Sequence, residues 1–199
     1  TRLNGTGTLQ GTPLTATAVN GVATFIGLAH TVAETITIQF TSNPVLTPVT
    51  SGNVVVGAAA ANKLVFAPQP VDTTYGTTQA GVGVQIQDQF GNNVSQSGTS
   101  ISIALNGSGT LGGTTSASTG AAGLATFSTL TVNRVGSKTL TASAATLTSD
   151  TSSAFTINAK PITVTAVIDS KTYDGITSSA GTPTITGGLA FSDTANFTQ

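Results

Sequence analysis

The sequence predicts an all-β protein built of tandem β-sandwich modules, the first and last incomplete. Three observations carry that expectation: a composition rich in β-branched residues and poor in charge, an internal repeat, and short alternating apolar runs between turn signals. Thr (40), Ser (19) and Gly (23) together supply 82 of the 199 residues. Only 13 residues are charged, whereas 38% are hydrophobic, and mean hydropathy is +0.25. Disordered chains combine low hydrophobicity with high net charge; this chain has neither. Thr joins Val and Ile as a β-branched strand former, so the chain is expected to fold, and to fold as sheets.

The repeat sets the organisation. Leu3-Asn4-Gly5-Thr6-Gly7-Thr8-Leu9 matches Leu105-Asn106-Gly107-Ser108-Gly109-Thr110-Leu111, and Gly21-Val22-Ala23-Thr24-Phe25 matches Gly123-Leu124-Ala125-Thr126-Phe127. Both pairs are offset by 102 residues, and Leu28 keeps step with Leu130. Two separate motifs at one offset make the repeat real. A period of this length exceeds that of solenoids and suits an immunoglobulin-type sandwich of about 100 residues.

Within the complete copy the strands follow in order. Lys63-Leu64-Val65-Phe66 opens it, and Pro68 and Pro70, which a central strand does not tolerate, end that run. Val82, Val84, Ile86 and Asp88 alternate with Gly83, Gln85 and Gln87, and Phe90-Gly91-Asn92-Asn93 reads as a turn. Ile101, Ile103 and Leu105 face one way against Ser100, Ser102 and Ala104. Leu124–Phe127, Thr139–Ala142 and Phe155–Ile157 supply the remaining strands. Six or seven short strands result, with no sustained helical period. The predicted modules are 1–59, the C-terminal part of an Ig-like module; 60–158, a complete one; and 159–199, the N-terminal part of a further β module.

At this point a resemblance can be stated. Lys63–Phe66, Val84-Gln85-Ile86-Gln87-Asp88 with Gly91-Asn92, and Gly123–Phe127 resemble the bacterial Ig-like repeats of invasin and intimin type. Ile162-Thr163-Val164-Thr165 followed by Lys171-Thr172-Tyr173-Asp174-Gly175 is similar to the YDG-type repeats of very large bacterial secreted or surface proteins. The resemblance implies stalks, adhesins and extracellular filaments, and it transfers no binding residues, because such repeats share a scaffold and not a site.

Function classes narrow further from composition. Net charge is −1 and no basic patch exists to neutralise phosphates, so no nucleic-acid partner is expected. No apolar run reaches the roughly 18 to 20 residues that cross a bilayer, so no membrane insertion is expected. The first residues show no signal-peptide pattern, which predicts a mature piece or an excerpt of a longer chain. Cys, Met and Trp are absent, which removes disulfides and thiolate chemistry and leaves few oxidisable side chains.

The candidate sites are few. Gly107-Ser108-Gly109-Thr110-Leu111-Gly112 fits G-x-G-x-x-G but lacks the helix whose N-terminus would hold a pyrophosphate. The repeat places Gln10 at the third glycine, so this is expected to be a strand connection. His30 is the lone histidine, with Glu34 four residues on. Its counterpart is Val132, which predicts a surface histidine outside any triad or metal site. Asp88, Asn92 and Asn93 form the one grouping with a calcium-like look, although Asx residues beside Gly91 suit turn geometry alone. Sequons at Asn4, Asn93, Asn106 and Asn196 are about as many as this Ser/Thr content produces by chance.

Lys63 and Asn158, at the two ends of the complete module, have the residue types of a pilin-like isopeptide bond, with Asp88 as its acid. A solvated lysine and a strand-end asparagine are the default expectation. Tyr173 is expected to pack in a core beside its turn, as are Phe25, Phe127 and Phe155. No catalytic, cofactor-binding or metal residue is therefore predicted, and no cofactor. One His, one Glu and no Cys leave little acid–base or nucleophilic equipment.

The functional expectation is a non-enzymatic subunit or segment of a bacterial extracellular filament or surface stalk. Its lightly charged strand edges predict head-to-tail self-association, with 159–199 of one chain completing 1–59 of the next. Excision from a longer tandem chain predicts the same lengths without exchange. The alternative function is the ligand-binding segment of a large bacterial adhesin, with a host or glycan ligand that the sequence does not specify.

Overall fold

The computed structural model describes residues 1–177, 180–191 and 193–197, which form 17 strands and no helix. The N-terminal segment contributes four two-residue strands: β1 (Thr35–Ile36), β2 (Gln39–Phe40), β3 (Val49–Thr50) and β4 (Val54–Val55). The centre holds β5 (Lys63–Phe66), β6 (Thr73–Thr74), β7 (Val82–Gln87), β8 (Ser100–Asn106), β9 (Leu111–Gly112) and β10 (Ser116–Ser118). It continues with β11 (Leu124–Phe127), β12 (Thr131–Val132), β13 (Gly136–Ser143), β14 (Asp150–Thr151) and β15 (Phe155–Asn158). The C-terminal segment adds β16 (Thr163–Thr165) and β17 (Thr184–Thr186).

Two sheets make the central sandwich. One runs β11-β7-β5; the other runs β10-β8-β13-β15-β6, with β14 also on β13. One continuous core lies between them, drawing Leu64, Phe66, Val82, Val84 and Ile86 from the first sheet. Ile101, Ile103, Leu140, Ala142, Phe155 and Ile157 enter it from the second. The alternation read in these strands therefore matches the inward faces. β7 departs from it, because Gly83 and Gln85 on its other face are buried as well. A side chain at Gly83 would meet the Ala67 carbonyl oxygen at 2.4 Å, and the Gln85 amide donates to the Ile86 and Ala122 carbonyls. The chain crossing after β5 covers this face, which periodicity within β7 could not reveal. Two-residue strands such as β6, β9, β12 and β14 were also too short for a periodic signal.

The first strand changes sheets, and the two prolines mark where. β5 pairs antiparallel with β7, and β6 pairs in parallel with β15. Between them, the Ala67 amide still donates to the Gly83 carbonyl of β7 and the Pro68 carbonyl accepts from the Gly83 amide; beyond that the Gln79 side chain brackets Val71, and side chains bridge to the closing segment. The Phe66 amide donates to the Asp150 carboxylate, the Ser153 amide to Gln69 Oε1, and the Thr156 amide to Asp72 Oδ1, each partner 84 residues away. The opening segment thus runs beside the closing one in constant register across both sheets. Pro68 and Pro70 have no N–H to give; Pro68 joins β7 through its carbonyl alone.

The repeat is visible in three dimensions. The Leu140 amide donates to Ser152 Oγ, which donates to the Ser153 carbonyl; the Ile38 amide, Ser51 Oγ and the Gly52 carbonyl repeat that chain of bonds. The Gln10–Ala29 bridge repeats the pairing of Gly112 with Thr131. The Leu111–Gly112 strand corrects the expectation that 107–112 is wholly a connection: Gly107 and Gly109 turn at positive φ, and pairing resumes at β9. In the N-terminal segment, Ile36 alone among apolar residues is fully buried.

Phe127 is 1% exposed at the centre of the core, so Phe127→Ala is expected to cost about 3–5 kcal/mol, read as a lower urea midpoint. Gly123 has φ +74, and a Cβ there would lie 1.9 Å from the Val94 carbonyl oxygen. Gly123→Ala should therefore destabilise by more than about 1 kcal/mol, measured in the same denaturation series.

Candidate functional site

Two places gather side chains in a way that strand packing alone does not explain. The first is the junction between the N-terminal segment and the central sandwich. Asp88 continues the inward row of β7 just past its end and is fully buried. Its Oδ1 accepts from the Phe90 and Asn92 amides, each at 2.9 Å. Its Oδ2 accepts from the Ala59 amide at 2.9 Å and from Asn92 Nδ2 at 2.8 Å. Burial pushes this carboxyl up, but the Asn92 side chain and the three amides outweigh it and hold the pKa at about 2.

Asn92 carries the junction across. Its Nδ2 also donates to the Thr31 carbonyl, and its Oδ1 accepts from the Ala33 amide, both at 2.8 Å. The three residues of the calcium-like grouping do not converge: Asn93 turns away to accept from Gln87. Each Asp88 oxygen already receives two N–H donors, the reverse of an oxygen cage awaiting a cation. Nor is Asp88 placed as an isopeptide acid, since its bonds run to Ala59, Phe90 and Asn92. Lys63 lies opposite Gln87, whereas Asn158 lies opposite Thr74 at the far end of the parallel zipper. The two residues sit at opposite ends of the sandwich and cannot be joined.

His30 is covered, not superficial. Its side chain is 3% exposed, and Nε2 lies 2.8 Å from Glu34 Oε1. Nδ1 is buried without a hydrogen-bond partner among the described residues. Glu34 is fixed on its other side by the Thr6 and Gly7 amides and the Thr6 hydroxyl. The Gly7 amide lowers its pKa most; burial opposes, and His30 and Thr6 add to the lowering, giving about 2. The counterpart Val132 is 2% exposed, so this repeat position faces inward in both copies, and Glu34 lets a histidine occupy it. The arrangement ties 5–7 to 30–34.

The second place is an open apolar cleft of about 290 Å³ whose lining includes Leu9, Leu14, Phe25, Leu28, Ile38 and Phe40. The Phe25 and Phe40 rings stand 5.4 Å apart. One repeat on, Phe127, Leu130, Leu140 and Ala142 are buried and Leu111 packs against them, whereas Ser116, the counterpart of Leu14, is exposed. Phe25 is therefore only partly covered, unlike Phe127 and Phe155. Tyr173 is also corrected: it is 93% exposed, and its turn is held instead by Lys171 Nζ on Asp174 Oδ1 at 2.8 Å.

No family model matches the chain, and no curated protein does. Among solved structures it is similar to a Parabacteroides merdae β-glucuronidase, with 15% identity over 62% of this chain and 16% of that one, TM-score 0.38. A glycosyl hydrolase family 2 member from Bacteroides cellulosilyticus is 12% identical over 68% of this chain and 18% of that one, TM-score 0.42. A β-glycosidase from Bacteroides vulgatus is 13% identical over 70% and 20%, TM-score 0.38. The chain thus spans a fifth or less of those enzymes, and likeness at this level carries no statement about activity.

Both anchored carboxyls have lowered folded pKa values. Their contribution to stability is complete above the ordinary values of 3.8 and 4.5 and is lost as pH falls through about 2. Carboxyl-carbon NMR titration should find Asp88 and Glu34 titrating near 2, with unfolding shifted to lower pH than ordinary carboxyls would allow. Asp88→Ala strands buried amides and is expected to cost on the order of 3 kcal/mol. Hydrogen exchange should then accelerate at Ala33 and Ala59.

Proposed function

We propose that this chain is a structural segment of a bacterial extracellular filament or surface stalk, built of tandem immunoglobulin-like modules joined head-to-tail by β-strand pairing. In this reading residues 1–59, 60–158 and 159–199 belong to three successive modules, and the chain is a scaffold and not a catalyst. The supporting observation is the junction at Asp88 and Asn92, where hydrogen bonds join consecutive repeats through backbone groups at 31, 33 and 59. Hinged beads on a flexible linker would not need a buried carboxylate between them; a stiff rod does.

The central sandwich supports the same role. Its opening and closing segments run in parallel, so tension applied along the chain loads a row of bonds together and not one at a time. Thr, Ser and Gly cover the outer surface, which suits a component whose contribution is length. A single His, a single Glu and scattered Asp residues supply no convergent chemistry.

Cryo-electron microscopy of the native material is expected to show ordered fibres with an axial repeat near two modules. Discrete particles at the same concentration would overturn the reading.

A further inference from the structure

We infer that the flank of the central sandwich formed by β10 and β11 is a lateral interface, where a second copy of this chain adds its own β10 antiparallel to the first. The hydrogen-bond pattern locates the open edge. The Ile103 amide donates to the Thr115 carbonyl, and the Thr119 amide to the Thr99 carbonyl. Antiparallel pairing alternates, so residues 115, 117 and 119 bond toward β8 while 114, 116 and 118 turn their N–H and C=O away from it. Two positions in that outward row are tied: the Thr114 amide donates to Thr129 Oγ1, and the Gly120 amide to the Leu124 carbonyl. Ser116 and Ser118 stand between them, exposed, with no partner for their outward groups among the described residues. Beside it, β11 likewise turns Thr126 outward, because Ala125 and Phe127 bond to β7 in step with the Ile86–Gly123 bond.

Charge and symmetry point to a second copy. Sheet edges are ordinarily blunted by charge or proline, and the opposite flank follows that rule. There Lys63, Asp72 and Asp150 lie on or beside β5, β6 and β14, and the Leu64 amide is taken by the Thr148 carbonyl. Residues 89–133, which span β8 to β12, hold no charged residue and no proline, so two such flanks meet without repulsion and without stripping water from an ion. Ser116-Ala117-Ser118 also reads the same in both directions. A two-fold axis at Ala117 sets Ser116 of each copy opposite Ser118 of the other, and these pairs exchange their outward backbone bonds. Ala117 then faces Ala117 of the second copy as a non-hydrogen-bonded pair, with Cα atoms about 4.5 Å apart. The preceding repeat is bonded at Asp88 and Asn92 and the following segment leaves from β15, so neither attachment occupies this flank. The contact is isologous; it joins two chains side by side and is separate from the end-to-end joining of the filament reading.

The chain has no cysteine of its own, so Ala117→Cys supplies a single thiol at the axis. Oxidised at constant protein concentration, this variant is expected to give about tenfold more disulfide-linked dimer than Ser118→Cys, whose thiols stand out of register and beyond the roughly 7 Å that a disulfide spans. Ser118→Pro in the Ala117→Cys background removes an outward N–H that the module itself does not use. With the urea midpoint unchanged, it should suppress the dimer by the same factor. Equal crosslinking at both cysteine positions, or a dimer that survives Ser118→Pro, would overturn the pairing. Fibres in which the Ala117→Cys thiol stays free would overturn the pairing and leave the filament reading intact. Dimer without fibres would support the pairing and overturn the filament reading.

Discussion

The central sandwich depends on how its first strand crosses from one sheet to the other while staying hydrogen-bonded to its last. An unpaired backbone group costs about as much as a lost hydrogen bond. Asp150, Gln69 and Asp72 accept the orphaned amides or supply the missing acceptor at a constant separation of 84 residues. Those bonds keep opening and closing segments in register while the backbone leaves β7 for β15. Both sheets are thereby held at the spacing that lets Phe66, Phe127 and Phe155 share one core.

A second constraint acts where repeats meet. Asp88 stays ionised while buried because four N–H groups converge on it, and Asn92 passes the connection to the preceding repeat. Four of the acceptor sites on that carboxylate are filled, which makes the junction a fixed joint and removes it from metal chemistry. His30 and Glu34 brace the same preceding segment from its other side.

Some of the site was legible in the residues. The alternation of Val82, Val84 and Ile86 pointed to the buried row, and Asp88 stood in step with it, which was the available signal that its carboxylate would be buried. Val132 opposite His30 was a similar signal. An apolar residue at the equivalent repeat position marks an inward-facing site, so the histidine was more readily placed inside than on the surface. Tyr173 lies beyond the two repeat copies, and its aromatic character alone misplaced it in a core.

The sequence by itself determined that the chain is all-β, where its repeat lies, and which residues face inward along the longer strands. These follow from short-range periodicity and from self-similarity, both of which survive in one dimension. Only the tertiary structure decided that Lys63 and Asn158 stand at opposite ends, that Gly83 lies beneath a crossing segment, and that Asp88 spends its oxygens on Ala59, Phe90 and Asn92. Those facts depend on which distant segments meet. Pairing partners dozens of residues apart leave no periodic trace in either partner, because hydrogen bonds between backbones are blind to side-chain identity.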